Sequence, residues 1–205
     1  MEKIDLNKLA ELTPANLKKA YKDILVETLY APFEDVIKKM IVVKPYNIDK
    51  QDIAVKLAVI DSFYSTGVVR YHRKDFFTLA DIICGITDFD KRIAKGDLTV
   101  VEDIINKAPY QCISIASKYC TLHNRYAAKK DDFAMYDSVK EKLLPLYYKK
   151  CGYKGQSPAY YKRRNDYCGY VKSIEDFLDF MGIKCPDRKR KFDAFIWLQR
   201  GLLKQ

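Results

Sequence analysis

Two side chains in the middle of this chain have the types and the spacing for nucleophilic chemistry. Lys118 follows the apolar residues Ile113 and Ala116, and Asp137 lies 19 positions after Lys118. A lysine that loses its proton through desolvation is an amine that can attack a sugar carbon. A nearby carboxylate stabilises the cation that develops on the sugar. The pair therefore predicts Lys118 as a nucleophile and Asp137 as its electrostatic partner.

Each of these residues also has a structural interpretation, which the sequence leaves open. Lys118 can be a solvated lysine whose aliphatic stem covers apolar surface. Asp137 precedes Ser138 and Glu141, a capping-box pattern in which Ser138 is the N-cap. Asp137 then stands just before the cap or is itself the cap, a role that contributes ~1 kcal/mol.

A cationic segment rich in tyrosine follows, from Tyr147 to Arg164. It contains six Lys or Arg and five Tyr, and no acidic residue. Stacking of bases on aromatic rings and attraction to phosphates are the typical uses of such a mixture. Together with the net charge of +10, the segment predicts a nucleic-acid partner. The predicted phosphate contacts are Arg70, Arg73, Lys149, Lys150, Lys154, Lys162, Arg163 and Arg164.

Further polar side chains near these positions are candidates for holding a nucleotide. His123 and Asn124 end the segment that contains Lys118, and either of them can instead bond the terminal carbonyls of its own helix. The complete set of predicted substrate contacts is Tyr136, His123, Asn124, Tyr64 and Ser65.

The elements that position these residues are predicted to be helices. Apolar residues recur at spacings of three and four, and no alternating strand pattern is present. The pattern predicts an all-α protein of roughly nine or ten helices with short connections. We expect one domain over residues 1–205, which can divide into a lobe of residues 1–50 with the C-terminal helices and a lobe of residues 51–150. The predicted helices are 14–31, 33–42, 52–66, 73–84, 90–94, 98–106, 111–123, 138–148, 166–181 and 187–203, and 149–159 is predicted to be a loop.

Several classes of function are disfavoured by the sequence. The six cysteines include no C-x-x-C pair, so we expect reduced thiols, no structural metal and no cofactor. No Gly-rich phosphate loop, H-E-x-x-H or G-x-S-x-G motif is present. No apolar run approaches the ~20 residues that span a bilayer, and the amino terminus does not resemble a signal peptide. We therefore expect a cytoplasmic protein that has no membrane partner and no obligate protein partner.

Several of these segments together resemble a group of little-characterised bacterial helical proteins. That group is distantly similar to the helix-hairpin-helix DNA glycosylases, especially compact 8-oxoguanine glycosylases. The resemblance implies a two-lobed fold in which Lys118 attacks the sugar C1′ and forms a Schiff base, while Asp137 supports cleavage of the glycosidic bond. It covers about Asp52 to Trp197, and it is carried by Ile60–Arg70, Gly96–Ile104, Ile113–Asn124, Phe133–Ser138 and Lys191–Gly201.

The expected function is base excision by a DNA glycosylase, with AP-lyase activity if Lys118 is the nucleophile. The substrate would be double-stranded DNA from which one damaged or modified base is extruded. If only Asp137 matches the family, the enzyme uses water and has no lyase step. The alternative is a non-catalytic nucleic-acid-binding or phage-defence interaction module on the same fold. The lack of glycine in residues 106–111, where the family has a glycine-rich hairpin, favours this alternative.

Overall fold

Twelve α-helices dominate the computed structural model, which describes residues 5–26, 30–72 and 75–204. These ranges contain no strand, so the predicted all-α fold is confirmed. Two short 3-10 helices, Leu6–Lys8 and Gln199–Lys204, flank the α-helices in the chain. The helices are α1 (Pro14–Val26), α2 (Tyr30–Val43), α3 (Lys50–Tyr64), α4 (Val68–Tyr71), α5 (Phe76–Cys84), α6 (Phe89–Lys95), α7 (Thr99–Lys107), α8 (Ile113–Tyr126), α9 (Ser138–Cys151), α10 (Pro158–Arg164), α11 (Tyr167–Phe180) and α12 (Arg188–Leu198).

The chain divides into two compact units. Unit 1 combines Met1–Ala31 with Tyr136–Gln205, and unit 2 is the continuous stretch Pro32–Met135. Lys118 therefore belongs to unit 2, and Asp137 belongs to unit 1.

Unit 2 is built around α8. Helices α3, α6 and α7 pack against α8, and α5 packs against α3 and α7. Twelve of the fourteen residues of α8 are buried, including polar ones. A helix enclosed on all sides has no solvated face, so its polar side chains must find partners inside the protein.

Unit 1 is held together by pairing between the two ends of the sequence. Helix α1 packs mainly against α12, and α9 packs against both α10 and α12. The core between these helices is aromatic, with Tyr147, Tyr170, Phe177 and Phe192 fully buried. A buried ion pair between Lys140 of α9 and Asp193 of α12 joins the same two helices.

The structure corrects several helix bounds. Pro32 was predicted to end a helix, but it lies in the first turn of α2, where its missing N–H costs no hydrogen bond. Helix α3 begins at Lys50, because the Asp49 carboxylate accepts a hydrogen bond from the backbone N–H of Asp52 at 2.8 Å. The short helix α4 was not predicted, and α10 begins within the predicted 149–159 loop.

Candidate nucleic-acid interface and buried polar sites

Lys118 lies inside unit 2 on the enclosed helix α8. Its residue is 3% exposed, and Nζ donates a hydrogen bond to Ser114 Oγ at 2.7 Å, one turn earlier. Nζ also lies 6.0 Å from the centre of the Tyr64 ring. The interpretation of Lys118 as a solvated lysine is therefore wrong. Its amine is bound to the Ser114 hydroxyl and lies near the Tyr64 ring.

The connection between Tyr64 and α4 is held by the side chain of Asp61. The Asp61 carboxylate accepts hydrogen bonds from Thr66 Oγ1 and from the backbone N–H groups of Val68 and Val69, both at 3.0 Å. Asp61 thereby caps the amino end of α4. Ser65, a predicted substrate contact, is exposed and adopts a positive φ of 47° within this connection.

Asp137 is the N-cap of α9. Its Oδ1 accepts a hydrogen bond from the backbone N–H of Lys140 at 2.7 Å. The predicted capping box with Ser138 as N-cap is wrong, because Glu141 instead accepts hydrogen bonds from Tyr136 Oη at 2.5 Å and Lys162 Nζ at 3.2 Å. Asp137 thus stabilises the start of a helix whatever else it does.

Tyr136, another predicted substrate contact, is buried in unit 1. Its ring lies 5.1 Å from the Tyr170 ring, and the Lys162 ammonium lies 5.9 Å from the ring centre. Burial, reinforced by the hydrogen bond to Glu141, raises the pKa of the Tyr136 phenol well above its usual range. The phenol therefore remains protonated and acts as a hydrogen-bond donor.

The Asn124 side chain forms hydrogen bonds that hold the loop after α8. Its Nδ2 donates to the carbonyl oxygen of Ile93 at 2.9 Å and to Asp132 Oδ2 at 3.0 Å. Its Oδ1 accepts from the backbone N–H of Asp132 at 3.0 Å. All of these contacts are internal to unit 2 and leave the Asn124 side chain 1% exposed.

His123 belongs to a buried polar cluster that the sequence did not indicate. The cluster consists of Asn47, Lys56, Asp90, Tyr119 and His123. Asn47 Oδ1 accepts hydrogen bonds from Lys56 Nζ at 3.1 Å and from Tyr119 Oη. Asn47 Nδ2 donates to Asp90 Oδ1 at 2.6 Å and lies 3.4 Å from His123 Nδ1. One amide side chain thus joins a cation, a carboxylate, a phenol and an imidazole.

Burial controls the protonation of this polar cluster. Desolvation, aided by the charge of Lys56, lowers the pKa of His123 well below its usual value, so the imidazole is neutral. His123 Nε2 has no hydrogen-bond partner within the described ranges. Desolvation lowers the pKa of Lys56 to about 8, although the Asp90 and Asp52 charges oppose the shift. Lys56 Nζ also donates to the carbonyl oxygen of Tyr46 at 2.8 Å, which anchors the segment between α2 and α3.

Lys56→Met is expected to remove a rise in stability between pH 8 and pH 10.5. The Lys56 pKa is about 8 in the folded protein and 10.5 in an unfolded chain, so in this window the unfolded chain binds more protons. The contribution of Lys56 to the free energy of unfolding therefore decreases by about 3 kcal/mol as the pH falls from 10.5 to 8.

Urea denaturation of the wild type, Lys56→Met and the exposed control Lys107→Met at both ends of this window measures the effect. Tyrosines and cysteines titrate in all three proteins and cancel in the differences. The same pH dependence in all three proteins would contradict the assignment.

The predicted DNA contacts differ in how their charges are used. Lys150 Nζ donates to the carbonyl oxygen of Leu9 at 2.5 Å, and Lys162 pairs with Glu141. Arg70 is exposed in unit 2 and lies 5.2 Å from the centre of the Tyr71 ring. Arg73 lies outside the described residues.

The remaining four cations define what we call the basic surface: Lys149, Lys154, Arg163 and Arg164. All four are exposed, and none forms an ion pair within the described part of the chain. They belong to unit 1, where α9 and α10 pack together. The sequence of unit 1 has 21 Lys or Arg and 13 Asp or Glu, a net charge of +8, whereas unit 2 has 16 and 14, a net charge of +2. The excess positive charge of the protein is thus concentrated in unit 1.

The tyrosines of the cationic segment have two roles. Tyr147 and Tyr148 are buried in the unit 1 core, so they are not available for stacking. Tyr153, Tyr160 and Tyr161 are half-buried, and the Arg164 guanidinium lies 4.8 Å from the centre of the Tyr160 ring.

Metal and membrane features are absent from the part of the chain that the structure describes. No group of three or more His, Cys, Asp or Glu side chains there is arranged to hold a metal ion, and none of the six cysteines is in a disulfide. Among the described helices, none is both long and apolar enough to cross a bilayer.

The fold and the charge distribution define an all-α protein with a central enclosed helix in one unit and a basic surface on the other. The chain belongs to the HI_0787_N family, described as an N-terminal domain, whose profile matches residues 14–129. It is also similar to an uncharacterized protein of Haemophilus influenzae, with 31% identity over 142 residues. The match covers 67% of this chain and 61% of the relative, so this chain spans less than two thirds of the relative's length. No solved structure matches.

Proposed function

We propose that this protein binds DNA through the basic surface of unit 1. The observation that supports the proposal is that Lys149, Lys154, Arg163 and Arg164 are exposed cations without carboxylate partners in the described ranges. Unneutralised cations on one unit attract phosphates and release counterions when they bind them. The concentration of net charge in unit 1 adds a longer-range attraction for a polyanion.

The affinity for a labelled duplex oligonucleotide, measured across a salt series, tests this proposal. If the four cations contact phosphates, log affinity should fall linearly with log salt, with a slope of about −3 to −4 or steeper. A flat plot, or no binding at low salt, would exclude the proposal.

We further propose that the bound DNA is the substrate of base excision, with Lys118 as nucleophile. Support comes from the environment of the Lys118 amine, which lies beside the Ser114 hydroxyl and the Tyr64 ring. Nζ would attack C1′, the C1′–N bond would break with its electron pair going to the base, and the base would take up a proton. The nitrogen would then lose a proton, and the C1′–O4′ bond would break with its electron pair going to O4′, which takes up that proton. A protonated Schiff base would remain on Lys118.

Borohydride trapping on abasic-site and 8-oxoguanine duplexes tests Lys118. Reduction of a Schiff base gives a stable covalent adduct, which should form with the wild type and with the exposed control Lys107→Ala. It should be lost in Lys118→Met, which keeps most of the buried volume. Thermal denaturation establishes that Lys118→Met is folded. An undiminished adduct in the folded variant would remove Lys118 from the mechanism.

Asp137→Asn separates catalysis from capping. Asparagine and aspartate are about equally good N-caps, so α9 and the DNA affinity should be retained. Base release should nevertheless fall sharply, because the neutral amide does not stabilise a cationic sugar. An unchanged rate of base release would leave Asp137 with its structural role alone.

The alternative is a DNA-binding module without catalysis. It is supported by the positions of His123 and Asn124. These two predicted substrate contacts are buried within unit 2, where their side chains contact other residues of the protein. Under this alternative, the salt-dependent binding is retained while no base is released and no adduct forms on any duplex.

A further inference from the structure

An aromatic pair with one exposed ring adjoins the basic surface of unit 1 at Lys154, which follows Tyr153 in the chain. Phe180, the last residue of α11, is 56% exposed. Its ring centre lies 5.2 Å from that of the half-buried Tyr153, which in turn lies 5.2 Å from Phe177 and 4.9 Å from Tyr148. Tyr148 and Phe177 are buried. The four rings thus form a continuous cluster of edge-to-face and tilted contacts that leads from the core to the solvent and ends at Phe180.

The backbone after α9 holds Tyr153 in this position. Gly152 has a φ of +70°, and the backbone N–H of Tyr153 donates to the carbonyl oxygen of Tyr148 at 2.9 Å. This is a Schellman ending, in which the residue after the glycine packs on the last turn of the helix. Gly155 then lies against the ring, since a Cβ added at Gly155 would be 2.4 Å from Tyr153 Cε1. The ring is therefore fixed from two sides.

The charges around the aromatic pair favour an anionic polymer. Lys149 lies in the last turn of α9, and Lys154 follows Tyr153 directly; both are exposed members of the basic surface. The nearby carboxylates are already paired, Asp176 with Lys172 at 3.1 Å and Asp179 with Arg188. Lys149, Lys154, Lys172 and Arg188 outnumber Asp176 and Asp179 in these segments, so their net charge is positive.

We infer that Tyr153 and Phe180 form a stacking site for an unpaired base of single-stranded DNA. Lys149 and Lys154 bind the phosphates on either side of that base. This inference rests on the proposed DNA binding and adds a site for an unpaired base beside the phosphate contacts. A solvent-facing aromatic ring flanked by unneutralised cations is the arrangement that binds single strands, because every base has a face that can stack and each nucleotide carries a phosphate. A base paired inside a duplex does not expose that face.

Fluorescence anisotropy with a labelled oligothymidylate and with a duplex of the same length tests the inference. Phe180→Ala should weaken binding of the single strand about tenfold, with an unchanged salt slope and a smaller effect on the duplex. Phe180→Trp should restore the affinity. Lys149→Ala with Lys154→Ala should reduce the single-strand salt slope by about 1.4, at ~0.7 for each phosphate contact. Gly155→Ala should weaken binding as well, because it displaces Tyr153 without removing a ring.

Phe77→Ala is the matched control. Phe77 of unit 2 is also 56% exposed and has Lys50 5.9 Å from its ring centre, but Lys50 is paired with Asp81 at 2.6 Å. It should bind both oligonucleotides as the wild type does.

Two groups of outcomes distinguish the inference from the proposed function. Salt-dependent binding with an undiminished single-strand affinity in Phe180→Ala would overturn the stacking site and leave the DNA-binding surface intact. A loss in Tyr71→Ala alone would also overturn it, by moving the stacking contact to unit 2. Absence of any salt-dependent binding would overturn both proposals.

Other occupants of the aromatic pair give different results. Sedimentation with phosphatidylserine–phosphatidylcholine vesicles that depends on Phe180, without a matching effect on oligothymidylate, would assign the pair to a lipid surface. A dimer in size-exclusion chromatography that Phe180→Ala dissociates would assign it to a second copy of the chain. Either result would overturn the inference.

Discussion

Replacing Lys149, Lys154, Arg163 and Arg164 together by alanine is expected to lower the affinity for duplex DNA about a thousandfold at ~0.15 M salt. Each of these cations is exposed and has no ion-pair partner within the described ranges, so each is available to neutralise one phosphate. At ~0.9 for each phosphate contact on a duplex, the salt slope should decrease by about 3.6. Anisotropy titrations of both proteins over a salt series measure the affinity and the slope together.

A variant with the same charge change in unit 2 provides the control. Lys38, Lys39, Lys107 and Lys129 are exposed lysines of unit 2, and their replacement by alanine also removes four positive charges. Because this control keeps the basic surface, its salt slope should remain that of the wild type. Equal losses of affinity in both variants would mean that only the net charge matters, and the assignment of the interface to unit 1 would be wrong.

Asn47→Ala is expected to lower the free energy of unfolding by about 3–5 kcal/mol. The substitution removes the acceptor shared by Lys56 Nζ and Tyr119 Oη and one donor to Asp90. Lys56 is 1% exposed, so water does not readily replace the lost partner. Leaving a buried cation without a hydrogen-bond partner costs far more free energy than leaving a neutral group at the surface without one.

Urea denaturation of Asn47→Ala, Tyr119→Phe and Ile48→Ala measures this effect. Tyr119→Phe removes one hydroxyl from the same polar cluster and should cost about 1–2 kcal/mol. Ile48 adjoins Asn47 but is 80% exposed, so Ile48→Ala should change the stability by less than ~0.5 kcal/mol. A stability of Asn47→Ala close to that of Ile48→Ala would show that the polar cluster does not hold the segment between α2 and α3.

The sequence predicted the long helices because their apolar periodicity extends over several turns. The helices that it did not resolve are short: α4 has four residues and α10 has seven. The four residues of α4 are too few for a period to be recognised, and Gly152 and Gly155 indicate a loop before α10. The Ser157-Pro158 pair was the available signal for α10, since proline is favoured at the first position of a helix.

The sequence was less informative about the buried sites. The capping role of Asp137 was among its interpretations, because an N-cap is a local feature. Asn47 was not indicated, because its partners lie 9, 43, 72 and 76 positions away and no local pattern connects them. The burial of Lys118 likewise depends on helices that pack around α8, which a single helical segment does not reveal.

The division of unit 1 into two stretches has a consequence for biosynthesis. Unit 2 is continuous, so all of its residues are translated before most of unit 1. Helix α1 is made first but packs mainly against α12, whose first residue is Arg188. At ~5–20 residues per second, α1 waits on the order of ten seconds for its partner. During synthesis its apolar residues Leu17 and Ala20, which the complete unit buries, are therefore accessible to a chaperone.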